Sequence, residues 1–141
     1  MIRISLVGQI GSGKTYVSKI FNLPTFNADK EVSHIYKFEK NCYKKLKISF
    51  PNFIKSFPIK KSELIKAIKF STKNIKIISK IIHPLIRGRL NLFLKRNRSK
   101  KAVILDIPLY LENNLNKKND VIIFVSRKNS LIKNDLIKRK N

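Results

Sequence analysis

Apolar residues along the chain follow two patterns, short continuous runs and longer stretches with helical spacing. The runs at 2–7, 102–105 and 121–125 are rich in β-branched residues, which predicts strands buried on both faces of a parallel sheet. A brief further strand is predicted at 24–27. Helical spacing occupies the segments 14–21, 28–38, 61–70, 75–95 and 130–139. Because strands and helices alternate, we predict an α/β fold with right-handed crossovers.

One connection in this pattern is longer than a simple crossover requires. Residues 28–97 are mostly helical in pattern, so we expect a helical insertion that covers a second substrate. A chain of 141 residues is long enough for one core and too short for two. We therefore predict a single domain over residues 1–141, with the insertion inside it.

The chain is strongly basic, with 32 Lys and Arg against 8 Asp and Glu and a formal net charge of +24. Such a charge attracts polyanions. The lysines are nevertheless spread over every segment, and the abundance of Lys, Ile and Asn is what AT-rich coding produces. We therefore expect phosphorylated small molecules as partners, and not nucleic acid.

The sequence also bears on the compartment of the protein. No apolar run reaches the ~18 residues of a membrane span, and the first residues lack the layout of a signal peptide. We expect a cytoplasmic protein with no membrane partner. Its single cysteine, Cys42, has no second cysteine for an internal disulfide.

The segment after the first predicted strand fits the phosphate-binding pattern G-x-x-x-x-G-K-[ST] at residues 8–15. Its glycines let successive backbone N–H groups point at a polyphosphate. Lys14 supplies positive charge for the β- and γ-phosphates, and the hydroxyl of Thr15 suits Mg²⁺. We expect ATP with Mg²⁺ to be bound by these residues: Gly8, Gly11, Ser12, Gly13, Lys14, Thr15 and Tyr16.

Acidic residues are few, so each can be considered as a metal ligand or a base. Asp29 follows the short strand and Asp106 follows the run 102–105, which predicts both at the carboxyl edge of the sheet, where ligands bind. Asp106 is placed there to act on Mg²⁺ or its waters. Glu112 follows in the next loop, and Asp120 precedes a strand and therefore belongs to the opposite edge.

His83 and Arg87 flank a proline within a predicted helix and lie one turn apart on one face. Two interpretations of this segment are open. Pro84 either kinks the helix so that the two side chains point toward a cleft, or marks a plain helix junction with a surface arginine.

The chain carries four motifs in a fixed order: the phosphate loop, Asn-Ala-Asp-Lys at 27–30, Ile-His-Pro-Leu-Ile-Arg at 82–87, and Asp-Ile-Pro-Leu-Tyr-Leu-Glu at 106–112. In sequence and order they resemble the motifs of the dephospho-CoA kinases. The resemblance extends from residue 1 to about residue 139. It implies a P-loop kinase fold, which is a parallel sheet with flanking helices and a helical substrate-binding insertion.

The resemblance also implies a reaction, in which ATP donates its γ-phosphoryl group to the ribose 3′-hydroxyl of dephospho-CoA, the last step of coenzyme A synthesis. Asp29 stands at the position of the general base. Lys14 and Mg²⁺ would neutralise phosphate charge, with Thr15 and Asp106 as the metal-side residues. Substrate binding falls to the matched positions Asp29, His83, Arg87 and Glu112.

Two rival interpretations stay open at the level of sequence. The first is a kinase of the same fold for another small hydroxyl substrate, such as a nucleoside monophosphate. The second is a non-catalytic protein, either an ATP binder or a cationic nucleic-acid binder.

The chain departs from the family pattern in two places. Asn27 replaces the first Asp of the D-A-D motif, which removes a carboxylate and predicts weaker ordering of metal or substrate. In the family an arginine-rich lid follows the helix that ends near Arg139, and a strand and a final helix come after the lid. Arg139 matches an arginine at the start of that lid, which makes it the lid candidate, whereas this sequence ends at Asn141. The resemblance therefore implies a missing lid and last strand, poor turnover, and an open apolar edge on the strand at 121–125.

Overall fold

The computed structural model describes residues 1–108 and 115–128. The chain divides into two compact units, one containing residues 1–28 and 93–141 and the other residues 29–92. The first unit holds the sheet, and the second is helical. The prediction that both units form one domain with a helical insertion stays a prediction.

The first unit is built on a four-stranded sheet in the order β2-β3-β1-β4. The strands are β1 at Ile2–Val7, β2 at Thr25–Asn27, β3 at Ala102–Asp106 and β4 at Val121–Phe124. All three neighbouring pairs are parallel, as the sequence predicts. Helix α1, at Lys14–Ile20, follows β1 and its glycine-rich loop.

Burial differs between the central strand β3 and the strand β4 at the edge of the sheet. In β3 the residues from Val103 onward are buried, as expected for a strand with a neighbour on each side. In β4, by contrast, Val121 is 45% and Phe124 69% exposed. The prediction that this run is buried on both faces is therefore wrong. Within the described residues β4 is an edge strand that pairs with β1 alone, and its side chains are less covered than those of β3.

The second unit packs helices around one apolar core. Its helices are α2 at Ala28–Phe38, α3 at Lys40–Ser49, α4 at Lys61–Phe70 and α5 at Asn74–Arg96. The chain enters this unit at the start of α2 and leaves it near the end of α5. Ile35, Leu46 and Ile54 are fully buried at its centre. Beside them, burial raises the pKa of the Cys42 thiol to about 11, which keeps it protonated.

The helical pattern in the sequence locates three helices of the second unit and misses one. The bounds of α2, α4 and α5 agree with the predicted segments to within one residue, whereas α3 was not predicted as a separate helix. Helix α5 runs continuously through Pro84, which rules out a helix junction there. The helix predicted at 130–139 lies outside the described residues. None of the helices in the described ranges has the length and apolar content to cross a bilayer.

Candidate active site

The loop after β1 adopts a backbone that its glycines make possible. Gly8, Gly11 and Gly13 have φ angles of 147°, 82° and 100°, in a region that L side chains rarely enter. Gly8 carries a second constraint, because a Cβ there would collide with the carbonyl oxygen of Val125. That residue follows β4 and donates its N–H to the carbonyl of Val7 at 2.8 Å. The loop is thus fitted tightly against the end of the sheet.

Two polar side chains of this loop have contacts that bear on what the loop can bind. The Nζ of Lys14 donates to the carbonyl oxygens of Gly8 and Gln9 at 2.8 and 2.9 Å, which holds the ammonium group over the loop. Ser12 is 5% exposed, and its Oγ has no hydrogen-bond partner among the described residues. A buried hydroxyl without a partner costs free energy unless a ligand supplies one. A phosphate oxygen fits this requirement.

Asp106, the last residue of β3, lies beside the loop at the carboxyl edge of the sheet. Its side chain is buried, with the residue 6% exposed. Oδ2 accepts a hydrogen bond from the Nδ2 of Asn27 at 2.7 Å and a long one from the Oγ1 of Thr15 at 3.4 Å. The predicted metal-side residues Thr15 and Asp106 are therefore brought together by the fold.

The predicted substrate residues of the second unit lie on two of its helices. Asp29 is in the first turn of α2, two residues after the end of β2, and its side chain is exposed. His83 and Arg87 are exposed on α5. Neither of these α5 side chains hydrogen-bonds or ion-pairs with another residue of the described ranges.

Three further predicted residues have different outcomes. Tyr16 is 71% exposed in α1, with its ring in solvent. Glu112 and Arg139 both lie outside the described residues, so their predicted roles stay predictions.

Sequence reasoning missed a charge cluster around Arg89. Its guanidinium lies 2.9 Å from carboxylate oxygens of both Glu31 and Glu39, and 2.8 Å from the Nδ1 of His34. Burial by itself lowers the pKa of Arg89. The hydrogen bonds to the two glutamates raise it by more, so the net shift of the pKa is upward. The partners are 50 or more residues apart in the sequence, so no local pattern could reveal them.

The first strand of the parallel sheet leads into a glycine-rich loop that carries Lys14 and Thr15, and an acidic residue on the neighbouring strand lies beside that loop. This arrangement defines a P-loop nucleotide-binding protein. The crystal structure of TT1252 from Thermus thermophilus has the same fold, with a TM-score of 0.81 and 23% identity over 98% of this chain and 72% of that one.

Sequence comparison narrows this class to one family. The dephospho-CoA kinase family model matches residues 2–141. The dephospho-CoA kinase of Zymomonas mobilis is 31% identical over 100% of this chain and 73% of its own length. That of Rhizobium etli is 30% identical, again over 100% of this chain and over 71% of its own length. The chain belongs to the dephospho-CoA kinase family, whose members are ATP-dependent kinases.

Proposed function

We propose that this chain transfers the γ-phosphoryl group of ATP to the ribose 3′-hydroxyl of dephospho-CoA. A bond forms between the 3′ oxygen and the γ-phosphorus, the bond to the β–γ bridging oxygen breaks, and ADP leaves. The observation that carries the proposal is the phosphate loop, in which the buried Oγ of Ser12 has no partner among the described residues and the ammonium of Lys14 is held over the loop. Family membership supports the acceptor.

The residues at the sheet edge fit a nucleotide that carries a divalent metal. Mg²⁺, when bound with ATP, neutralises charge on the β- and γ-phosphate oxygens. The hydroxyl of Thr15 and the carboxylate of Asp106 would hold it, directly or through water. Within the described residues no group of three or more His, Cys, Asp or Glu could hold a metal alone. This fits Mg²⁺, which is usually bound by one or two side chains together with phosphates and waters.

The acceptor side of the proposal rests on the sequence motifs. Asp29 accepts the proton of the 3′-hydroxyl, or holds that hydroxyl in line with the γ-phosphorus. Arg87 binds a substrate phosphate through its forked donors, which is supported by its exposed position and its freedom from ion pairs within the described residues. His83 and Glu112 complete the contacts to dephospho-CoA. The reaction consumes ATP, so we propose the cytoplasm as its compartment.

The test is an ATP-dependent phosphorylation assay with dephospho-CoA as acceptor, run on the 141-residue chain. Lys14→Ala should lower the rate by about 10²-fold, because it removes charge that stabilises the transferring phosphoryl group. Asp29→Asn should lower it by about 10²- to 10⁴-fold while ATP affinity stays unchanged. Lys19→Ala, in the last turn of the same helix as Lys14, is the matched control and should behave as the unaltered chain.

The outcomes separate the two halves of the proposal. Binding of a fluorescent ATP analogue without phosphorylation of dephospho-CoA would overturn the acceptor and leave a nucleotide-binding protein. Absence of nucleotide binding would overturn both halves. Full activity of Asp29→Asn would remove Asp29 from the role of base and leave the reaction itself standing.

A further inference from the structure

Asn27 and Asp106 are neighbours across two parallel strands. Asn27 ends β2, Asp106 ends β3, and the two residues are paired in register. Adjacent strands lie about 4.8 Å apart, which puts the two side chains within hydrogen-bond reach on the same side of the sheet edge. The Nδ2 of Asn27 donates to the Oδ2 of Asp106 at 2.7 Å.

Among the described residues, this is the shorter of the two hydrogen bonds that the carboxylate of Asp106 accepts. The other donor to Oδ2, the hydroxyl of Thr15, is 3.4 Å away and forms a weak bond at most. The Oδ1 of Asp106 receives no hydrogen bond from any residue in the described ranges 1–108 and 115–128. The amide of Asn27 therefore restrains the carboxylate through Oδ2, and no described residue occupies Oδ1.

An aspartate at position 27 would act differently. An ionised carboxylate has no proton to donate and would bring a second negative charge close to Asp106, which is unfavourable in a buried site. The asparagine replaces that repulsion with a short hydrogen bond to a charged acceptor, which is stronger than a bond between neutral groups. The substitution at position 27 therefore gives Asp106 a defined orientation while the site carries one charge less.

We propose that Asn27 is a positioning residue, which orients Asp106 so that its Oδ1 serves the Mg²⁺ of bound ATP or a water on that metal. This inference rests on the proposed function, since it assumes that ATP with Mg²⁺ is the ligand of the loop. Asn27 acts through Asp106 and needs no contact of its own with the nucleotide.

The readout is the gain in affinity for a fluorescent ATP analogue when Mg²⁺ replaces EDTA, measured by equilibrium titration without acceptor. Asn27→Leu should reduce that gain by roughly tenfold, because it removes a hydrogen bond to a charged group. The affinity in EDTA should not change. Asn97→Leu is the matched control, since its amide donates to the carbonyl of Phe93 at 2.8 Å, and it should leave the gain intact.

A double-mutant cycle shows whether Asn27 acts through Asp106. Asp106→Asn should abolish most of the gain, and Asn27→Leu added to it should have no further effect. Asn27→Ala, which also removes the donor but is small, replaces Asn27→Leu if that variant fails to fold. A gain that survives the loss of the amide overturns the inference, as does an equal loss in both backgrounds. If the unaltered chain binds ATP without any gain from Mg²⁺, the metal half of the proposed function fails first.

Discussion

Gly8 and Gly13 belong to the same loop and both have positive φ angles, but they differ in how much space surrounds their Cα atoms. A Cβ on Gly13 would meet no atom within 4 Å, so alanine there would be destabilised only by its backbone conformation. A Cβ on Gly8 would in addition collide with the backbone of Val125, which cannot move without disturbing its hydrogen bond to β1. The two glycines therefore separate conformational cost from steric cost within one loop.

We expect Gly13→Ala to lower the free energy of unfolding by about 1–2 kcal/mol, the cost of a non-glycine residue in a left-handed conformation. Gly8→Ala should lower it by clearly more, because the end of β4 must shift. Chemical denaturation of the two variants measures both values. Equal destabilisation would show that the collision at Gly8 is relieved without cost.

At the same scale, the sequence predicts the backbone of the loop but not the hydrogen bond between Asn27 and Asp106. The loop is a contiguous motif, and the residue types at its positions determine its backbone conformation. Residues 8–15 can therefore be predicted from the sequence without a structure. From the sequence alone, Asn27 is a lost carboxylate, and the prediction of weaker ordering stays a prediction. Its hydrogen bond joins residues 79 positions apart and depends on the register between β2 and β3, which no local pattern encodes.

Among the elements of the second unit, α5 is tied to the start of the helical region by a single arginine. Arg89 reaches Glu31 on α2 and Glu39, the residue before α3, with one nitrogen of its guanidinium for each carboxylate. Its side chain is 21% exposed, so solvent screens these pairs only in part. A network of this kind contributes more than an isolated surface pair.

Replacing Arg89 with methionine should lower the free energy of unfolding by about 1–2 kcal/mol, because both glutamates lose their charged partner. Arg87→Met, two residues earlier on the same helix, is the matched control and should change it by less than about 0.5 kcal/mol. Urea denaturation followed by circular dichroism measures the difference. Equal effects from the two variants would mean that the cluster adds nothing beyond helix propensity.

The elements themselves were predictable to different degrees. The spacing of apolar residues predicts helices α2, α4 and α5. Helix α3 buries chiefly Cys42 and Leu46 and is otherwise rich in lysine, so it has too few apolar positions for a helical pattern to be recognised. The run 121–125 predicts a strand correctly and its burial wrongly. Whether an apolar strand is central or lies at an edge depends on the order β2-β3-β1-β4, which only the structure supplies.

At the scale of the whole molecule, the net charge of +24 acts on stability and on binding in opposite ways. Mutual repulsion of the lysines opposes the compact state, and the same field draws in a phosphate-bearing ligand. Salt weakens both effects, because the Debye length falls from about 30 Å at 0.01 M to about 10 Å at 0.1 M. Over this range of salt concentration, the interaction between surface charges about 10 to 30 Å apart changes from weakly to strongly screened.

Raising sodium chloride from 0.01 to 0.3 M should therefore raise the melting temperature by roughly 2–4 °C, which corresponds to about 1 kcal/mol for a chain of this size. The same change should weaken the binding of an ATP analogue, because the loop and its surroundings lose attraction for the phosphates. Differential scanning fluorimetry and equilibrium titration on one preparation measure the two effects. Choline chloride at equal ionic strength is the control and should give equal shifts, since screening depends on ionic strength and not on the cation. The chain has 32 basic side chains against 8 acidic ones. A melting temperature that stays constant or falls with salt would show that repulsion among the basic side chains is too weak to limit stability.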